Sequence, residues 1–176
     1  MEKSTLIIIT GPESSGKSSL MQEICSRTEA LGIEEKARAY LNKKSGPYDA
    51  GDLMNIATEQ TQEILRAKKQ GISLIVSDTG PEVVEIWYRE KFGSPPDSLC
   101  QMSKSLPSPH YLLCKPDLPW EYDPLRENPH DRERLFSIYQ EWLEKNQCNY
   151  TIISGVERLE KSLIILENIA SGMNNT

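Results

Sequence analysis

Short runs of apolar, mostly β-branched residues alternate along the chain with longer segments in which apolar positions recur at helical spacing. This alternation is typical of βαβ units, in which helices cover both faces of a parallel sheet. It therefore predicts a three-layer α/β fold. The predicted strands are Thr5–Ile9, a weaker one at Ile33–Ala37, Ile72–Ser77, His110–Cys114 and Tyr150–Ser154. The predicted helices are Lys17–Leu31, Asp52–Lys69, Pro81–Phe92, Asp131–Asn146 and Glu157–Ala170.

Two proline-rich stretches, Gly93–Pro109 and Lys115–Pro129, interrupt this alternation. Proline lacks a backbone N–H donor and has a fixed φ, so it usually ends regular structure. We expect both stretches to be irregular, and long irregular excursions in a domain are usually functional. The second stretch carries Trp120 and Arg126, whereas the role of the first is left open.

Length and charge restrict the function classes further. A chain of 176 residues suits one domain, residues 1–176. Its 20 Lys and Arg against 26 Asp and Glu give a net charge of −6, which disfavours nucleic acid as a partner. The apolar run Leu6–Ile9 is far too short to cross a bilayer, and the four cysteines form no C-x-x-C pair. We expect a cytoplasmic protein with reduced thiols, acting away from membranes.

The clearest motif is Gly11–Ser18, which follows the first predicted strand and matches the Walker A pattern G-x-x-x-x-G-K-[ST] at every fixed position. In such loops backbone N–H groups and a helix N-terminus surround phosphate groups. Lys17 would reach the β- and γ-phosphates, and the Ser18 hydroxyl would bind Mg²⁺. ATP and Mg²⁺ are therefore the predicted cofactors. The predicted nucleotide-binding residues are Gly11, Glu13, Ser14, Ser15, Gly16, Lys17, Ser18 and Ser19.

A second candidate element is the apolar run that ends in Asp78, which has the form of a Walker B strand. Asp78 would lie at the carboxyl edge of the sheet, where ligands bind in open α/β folds. It could hold Mg²⁺, act as a base on an acceptor hydroxyl, or cap the turn at Thr79–Pro81. The residues alone leave these roles open.

The P-loop does not say whether the phosphate goes to water, as in a switch ATPase, or to an alcohol, as in a kinase. The short chain favours a small-molecule kinase of the nucleotide-kinase type, which closes an arginine-bearing lid over the phosphates. The predicted lid spans about residues 115–130. Arg126 is the preferred lid arginine, and Arg132 and Arg134 are either phosphate ligands or exposed residues of a helix start. A switch ATPase remains the alternative, whereas intact Lys17, Ser18 and Asp78 disfavour a purely structural module.

Four segments resemble one kinase family. Gly11–Leu20 is similar to a loop that reads G-x-E-S-S-G-K-S/T-T-L, and Glu35–Tyr40 is similar to E-x-A/G-R-x-Y. Asp78–Gly80 resembles a D-T-D element, and Leu118–Arg126 resembles T-P-W-x-x-D-G-L-R. Together, over about residues 5–155, they resemble the NadR-type ribosylnicotinamide kinase domain, here expected as a stand-alone kinase.

The resemblance implies a P-loop kinase fold with strand order 2-3-1-4-5 and ATP–Mg²⁺ as the donor. The implied acceptor is the 5′-hydroxyl of nicotinamide riboside or a related nucleoside, as in NAD salvage. It also implies that Trp120 stacks on the pyridinium ring, a contact that cation–π attraction would favour. Lys17, Asp78 and Arg126 are the predicted catalytic residues, and Ser18 and Asp78 the predicted metal ligands. The predicted acceptor-binding residues are Glu35, Arg38, Asp78, Glu82, Trp120 and Asp123.

One departure from the family pattern concerns the acceptor. The second Asp of D-T-D is Gly80 here, which removes a carboxylate, and Glu82 is the candidate replacement. Trp87 and Tyr88 are either core or interface residues, so the oligomeric state is left open.

Overall fold

A parallel sheet of five strands forms the middle layer, with helices on both faces. The computed structural model describes residues 4–124, 126 and 130–172. Its strands are β1 (Thr5–Thr10), β2 (Leu31–Ile33), β3 (Leu74–Asp78), β4 (His110–Cys114) and β5 (Asn149–Ile153). Its helices are α1 (Lys17–Arg27), α2 (Lys36–Lys43), α3 (Ala50–Lys69), α4 (Pro81–Phe92), α5 (Asp97–Ser105), α6 (Arg132–Lys145) and α7 (Arg158–Ala170). The strand order β2-β3-β1-β4-β5 confirms the predicted order and the three-layer α/β fold.

The central strand β1 lies between β3 and β4 and is buried on both faces. Leu6 and Ile8 pack in a cluster with residues of α3, α4 and α6. Ile7 and Ile9 point to the other face and pack against α1 and α7. Because both faces are covered, the strand is a continuous apolar run instead of an alternating one. Its register with β3 places Ile9 opposite Asp78, so the P-loop starts beside that carboxylate.

The weak strand predicted at Ile33–Ala37 is wrong beyond Ile33. The edge strand β2 ends there after pairing with β3, and the chain turns into helix α2. Ala37 packs in an apolar cluster with residues of α3 and α4. Helix α2 is short, and its apolar residues pack against other helices. Its own sequence therefore shows little helical periodicity of apolar positions.

Irregular structure was also the wrong expectation for Asp97–Ser105, which forms α5. Pro96 takes the N-cap position, where a missing N–H costs nothing, so the prolines mark the start of this helix. Leu99 and Met102, three residues apart, join the cluster that contains α3 and α4 residues.

The other proline-rich stretch is irregular, as predicted, at residues 115–124 and 126, which form neither helix nor strand. Residues 125 and 127–129 of the predicted lid lie outside the described residues. Within the described part of the chain, no helix is both long and apolar enough to cross a membrane.

Candidate active site

The loop between β1 and α1 has the backbone shape of a phosphate-binding turn. Gly11 has a φ of 129°, and a Cβ there would lie 2.6 Å from the carbonyl oxygen of Cys114. Gly16 has a φ of 79°, and a Cβ there would meet the Leu118 side chain at 2.7 Å. Both positions therefore need glycine. Ser14 also adopts a left-handed conformation, with a φ of 53°.

Lys17 is the first residue of α1, and its side chain folds back over this loop. Its Nζ donates to the Pro12 carbonyl at 2.7 Å, and the Ser15 hydroxyl donates to the same oxygen at 2.8 Å. The ammonium group is thereby held at the mouth of the turn, where a phosphate chain would lie.

Ser18 and Asp78 meet beside the loop, as the metal-site prediction requires. The Ser18 hydroxyl donates to Asp78 Oδ2 at 2.5 Å, and the buried Asp78 Oδ1 has no hydrogen-bond partner among the described residues. Burial raises the pKa of Asp78, although the charge of Lys17 and the hydrogen bond from Ser18 lower it.

These two oxygen donors fit Mg²⁺. In the described part of the chain, no three His, Cys, Asp or Glu side chains converge to form a metal site. Mg²⁺ is usually bound by one or two protein ligands together with substrate phosphates and water. The pair of a hydroxyl and a carboxylate with one unpartnered oxygen therefore suits Mg²⁺ that arrives with a nucleotide.

A cavity of about 790 Å³ lies along the P-loop and extends to both sides of it. On one side it is lined by the segment after β4 and by the turn before α7. On the other side it reaches the walls formed by α2, α4 and α6. The residues lining the first side are Leu118, Pro119, Gly155, Val156, Arg158 and Leu159, and those lining the second include Glu35, Arg38, Leu41, Val83, Trp87, Glu90 and Tyr139.

Glu35 lies on the second side, close to the reaction centre. Burial raises the pKa of its carboxyl, Asp78 raises it further, and the charges of Lys17, Arg38 and Arg126 lower it. The structure thus brings Glu35 within electrostatic reach of all three predicted catalytic residues, Lys17, Asp78 and Arg126.

The predicted lid segment contacts the P-loop and helix α2. Arg126 Nη1 donates to the Ser14 hydroxyl at 3.3 Å and to the Glu121 carbonyl at 2.7 Å. Asp123 forms an ion pair with Arg38 at 2.8 Å, which connects the segment to α2.

The structure places Trp120 beside Arg132 and Trp87 at the cavity. Trp120 is not among the described residues that line the cavity, and the Arg132 guanidinium lies 5.7 Å from its ring centre. Trp87 does line the cavity. Its Nε1 donates to the Tyr48 hydroxyl at 2.8 Å, and the two rings meet edge to face with centroids 4.9 Å apart. The indole orientation of Trp87 is therefore fixed.

The comparisons with known proteins agree with this geometry. A family model described as an AAA domain matches residues 6–159. The chain belongs to this AAA-domain family. No curated protein matches the sequence of this AAA domain.

Two solved structures share the fold of this AAA domain. A NadR protein in complex with NR superposes with a TM-score of 0.77 and 16% identity over 98% of this chain. The chain spans about half of that protein, since it covers 53% of its length. Thymidylate kinase from Ehrlichia chaffeensis superposes with a TM-score of 0.66 and 12% identity, covering 93% of this chain and 98% of the kinase. Both similarities establish a P-loop kinase fold.

Glu82 of the AAA domain lies beneath the cavity instead of lining it. The side chain is 0% exposed, and neither carboxyl oxygen forms a well-aligned hydrogen bond with the described residues. A Cβ at Gly80 would overlap Glu82 Oε2. The Glu82 carboxyl therefore occupies the space that a side chain at position 80 would need.

Burial raises the pKa of Glu82 from 4.5 to about 7, against smaller lowering effects of the Thr10 hydroxyl and nearby backbone N–H groups. Between pH 4.5 and about 7, the unfolded chain loses the Glu82 proton whereas the folded protein keeps it. Raising the pH through this range therefore favours the unfolded state. We expect Glu82→Gln to gain stability relative to wild type as pH rises through this range, by about 3 kcal/mol in total. Urea unfolding across the range measures the difference.

The exposed Glu59 of α3 offers a matched control as Glu59→Gln. A difference between Glu82→Gln and wild type that stays constant with pH would contradict the prediction.

Sequence reasoning missed several residues of the AAA-domain cavity. Val83, Trp87 and Glu90 line it from α4 at i, i+4 and i+7 spacing, so one helical face was a usable signal. Arg158 carried no comparable signal, because its partners lie far away in the sequence.

Proposed function

We propose that the protein is an ATP- and Mg²⁺-dependent kinase that phosphorylates an alcohol on a small molecule. The observation that carries this proposal is the extension of the cavity beyond the P-loop to the walls of α2, α4 and α6. A switch ATPase needs space only for a nucleotide and a water molecule. The additional space, lined by aromatic and carboxylate side chains, suits a second substrate.

The proposed acceptor is the 5′-hydroxyl of nicotinamide riboside or a related nucleoside, as in NAD salvage. Arg38 on the acceptor wall is already paired with Asp123, and Glu90 is paired with Arg134. This wall therefore favours an uncharged or cationic acceptor over a nucleoside monophosphate. The similarity to a NadR protein solved in complex with NR supports the same substrate class.

Each side chain of the site has a separate proposed role in phosphoryl transfer. Mg²⁺–ATP, when bound, supplies the phosphoryl group and part of the charge neutralisation. Ser18 and Asp78 would hold the metal, and Lys17 would bind the phosphates. Arg126 would approach from the lid at about residues 115–130, in a single kinase domain.

Glu35 is the proposed base for the acceptor hydroxyl. It lines the acceptor side of the cavity, whereas Asp78 is not among the described lining residues and is engaged by Ser18. Its raised pKa also makes its carboxylate a better proton acceptor than an ordinary one. The proton of the hydroxyl would pass to Glu35 as the oxygen attacks the γ-phosphorus of ATP. The bond from that phosphorus to the β–γ bridging oxygen would break, and ADP would leave.

Turnover measured with an acceptor panel tests the function. The panel contains nicotinamide riboside, uncharged nucleosides, thymidine monophosphate and a sample without acceptor, read as ADP release and product mass. We expect ADP release to require a nucleoside and to match the monophosphate formed. Equal ADP release without an acceptor would favour the switch ATPase, and turnover with thymidine monophosphate alone would favour a nucleotide kinase.

Trp87 is the proposed stacking partner of the acceptor base, in place of Trp120. Replacing Trp87 with alanine should raise the KM for nicotinamide riboside by about 3- to 30-fold, because cation–π attraction is worth about 0.5–2 kcal/mol. The KM for ATP should change little, since Trp87 lies on the acceptor side of the P-loop. Steady-state kinetics with each substrate varied measures the two constants.

Trp120→Ala is the matched comparison, because both variants lose one indole. The native Trp120 ring lies beside Arg132 and is not part of the cavity lining. The KM for the acceptor should therefore change less in Trp120→Ala than in Trp87→Ala. The reverse order would restore Trp120 as the stacking residue.

A further inference from the structure

Two arginines from outside the P-loop donate to consecutive carbonyl groups of that loop. Arg132, the first residue of α6, donates through Nη1 to the Ser14 carbonyl at 3.1 Å. Arg158, the first residue of α7, donates through Nη1 to the Ser15 carbonyl at 2.7 Å. The two helices thus contact adjacent peptide groups of the turn.

Each guanidinium is also anchored elsewhere. Arg132 Nη1 donates to the Leu118 carbonyl at 2.9 Å. Arg158 is 8% exposed, donates to the carbonyls of Lys115 and Gly155 at 2.9 and 3.2 Å, and forms an ion pair with Asp117.

Asp117 completes the Arg158 cluster by accepting from the Gly155 N–H at 2.7 Å. A buried guanidinium with this many partners has one orientation. It ties the P-loop to the segments that follow β4 and β5.

The orientation of these carbonyls determines where the neighbouring N–H groups point. Every peptide bond among the described residues is trans. In a planar trans peptide, the C=O of one residue and the N–H of the next point in opposite directions. Holding the Ser14 and Ser15 carbonyls toward the two arginines therefore turns the N–H groups of Ser15 and Gly16 away from the arginines, to the opposite side of the backbone.

We propose that Arg132 and Arg158 are positioning residues that hold these two P-loop peptides in the orientation that binds a phosphate chain. The inference rests on the proposed nucleotide site and assigns neither arginine a direct phosphate contact. Peptides already aligned before binding lose less entropy and need no reorganisation when the anion arrives. The loop carries left-handed residues at Ser14 and Gly16, so alternative peptide orientations are accessible without the two guanidinium groups.

Binding experiments that vary the phosphate chain test this role. Calorimetry would compare Mg²⁺–ATP, Mg²⁺–pyrophosphate and adenosine on wild type, Arg132→Met and Arg158→Met. We expect each variant to lose about 10- to 100-fold in affinity for ATP and pyrophosphate, the effect of one misdirected donor to a charged group. Adenosine has no phosphate, so its affinity should change much less. An equal loss for adenosine would indicate a general structural effect and overturn the inference.

Arg158→Lys separates charge from geometry. Lysine keeps the positive charge but cannot reach the carbonyls of Ser15, Lys115 and Gly155 together. We expect it to bind pyrophosphate as weakly as Arg158→Met, and wild-type affinity would overturn the inference. Arg66→Met, which removes an exposed arginine of α3, is the control for loss of an arginine and should bind like wild type.

Two further outcomes are distinguishable. If wild type binds neither ATP nor pyrophosphate, the proposed function fails and the inference fails with it. If wild type binds both and the variants bind equally well, only the positioning role fails. Thermal unfolding without ligand verifies that each variant folds, and if Arg158→Met does not, Arg132→Met, whose native residue is half-buried, decides alone.

Discussion

The Lys17→Ala variant is expected to lose about 10²–10³-fold in kcat/KM for phosphoryl transfer to nicotinamide riboside. Lys17 is held over the P-loop by the Pro12 carbonyl, at the place where charge on the transferring phosphoryl group must be neutralised. Alanine removes this charge and leaves the backbone N–H groups of the loop in place. ADP release under saturating acceptor, with ATP varied, measures the loss.

Lys69→Ala is a suitable control for the lysine prediction. Lys69 is exposed at the end of α3, before β3 begins, and so lies toward the amino-terminal edge of the sheet. Its removal changes the net charge equally but should leave kcat/KM near the wild-type value. Full activity in Lys17→Ala would refute both the kinase and the switch ATPase, since each needs this lysine.

Glu35→Gln is expected to lower kcat by about 10²–10⁴-fold, the usual contribution of a general base. Glutamine keeps the size of the side chain and its place in the cavity but cannot accept the proton. Because burial holds the pKa of Glu35 above 4.5, the wild-type rate should fall as the pH drops toward that raised pKa. The variant should lack this acidic limb, and a pH profile of kcat measures both effects.

The exposed Glu59 of α3 offers a matched control as Glu59→Gln, which should keep both the rate and the acidic limb. If Glu35→Gln retained the limb, the base would be another group, and Asp78 would be the next candidate. If the variant raised the KM for the acceptor and left kcat unchanged, Glu35 would bind the substrate without taking its proton.

Most elements that pack directly on the sheet were predicted well from sequence. Helix α1 is an exception, because it ends at Arg27, four residues before the predicted end at Leu31, where strand β2 begins. Strand β4 and helix α4 match the predicted bounds, and β1, β3, β5, α3, α6 and α7 differ by at most two residues at each end. Their apolar positions follow one period because each has one broad surface to cover. Helices α2 and α5 were missed because they pack mainly on other helices, which leaves a weaker pattern in a short segment.

The residues of the candidate site were also predicted only in part from sequence. Lys17, Ser18 and Glu35 were identified from contiguous motifs, and the structure brings them to one cavity with Arg38 and Arg126. The choice between Trp120 and Trp87 was not accessible from the motif. It depends on how far α4 and the segment after β4 lie from the P-loop, which is a property of packing.

By itself, the sequence determined the P-loop and the order of the elements, because both depend on near neighbours along the chain. A tight turn is set by local sterics, and the glycines and the lysine needed for it all lie within the short segment Gly11–Lys17. Only the tertiary structure shows the cavity lining from α2, α4 and α6 and the hydrogen bonds from Arg132 and Arg158 to the P-loop. These arginines are 118 and 143 residues away from the carbonyls that they hold. Contacts over such separations form only when the sheet brings its carboxyl edge and the starts of several helices together, and no local pattern encodes that meeting.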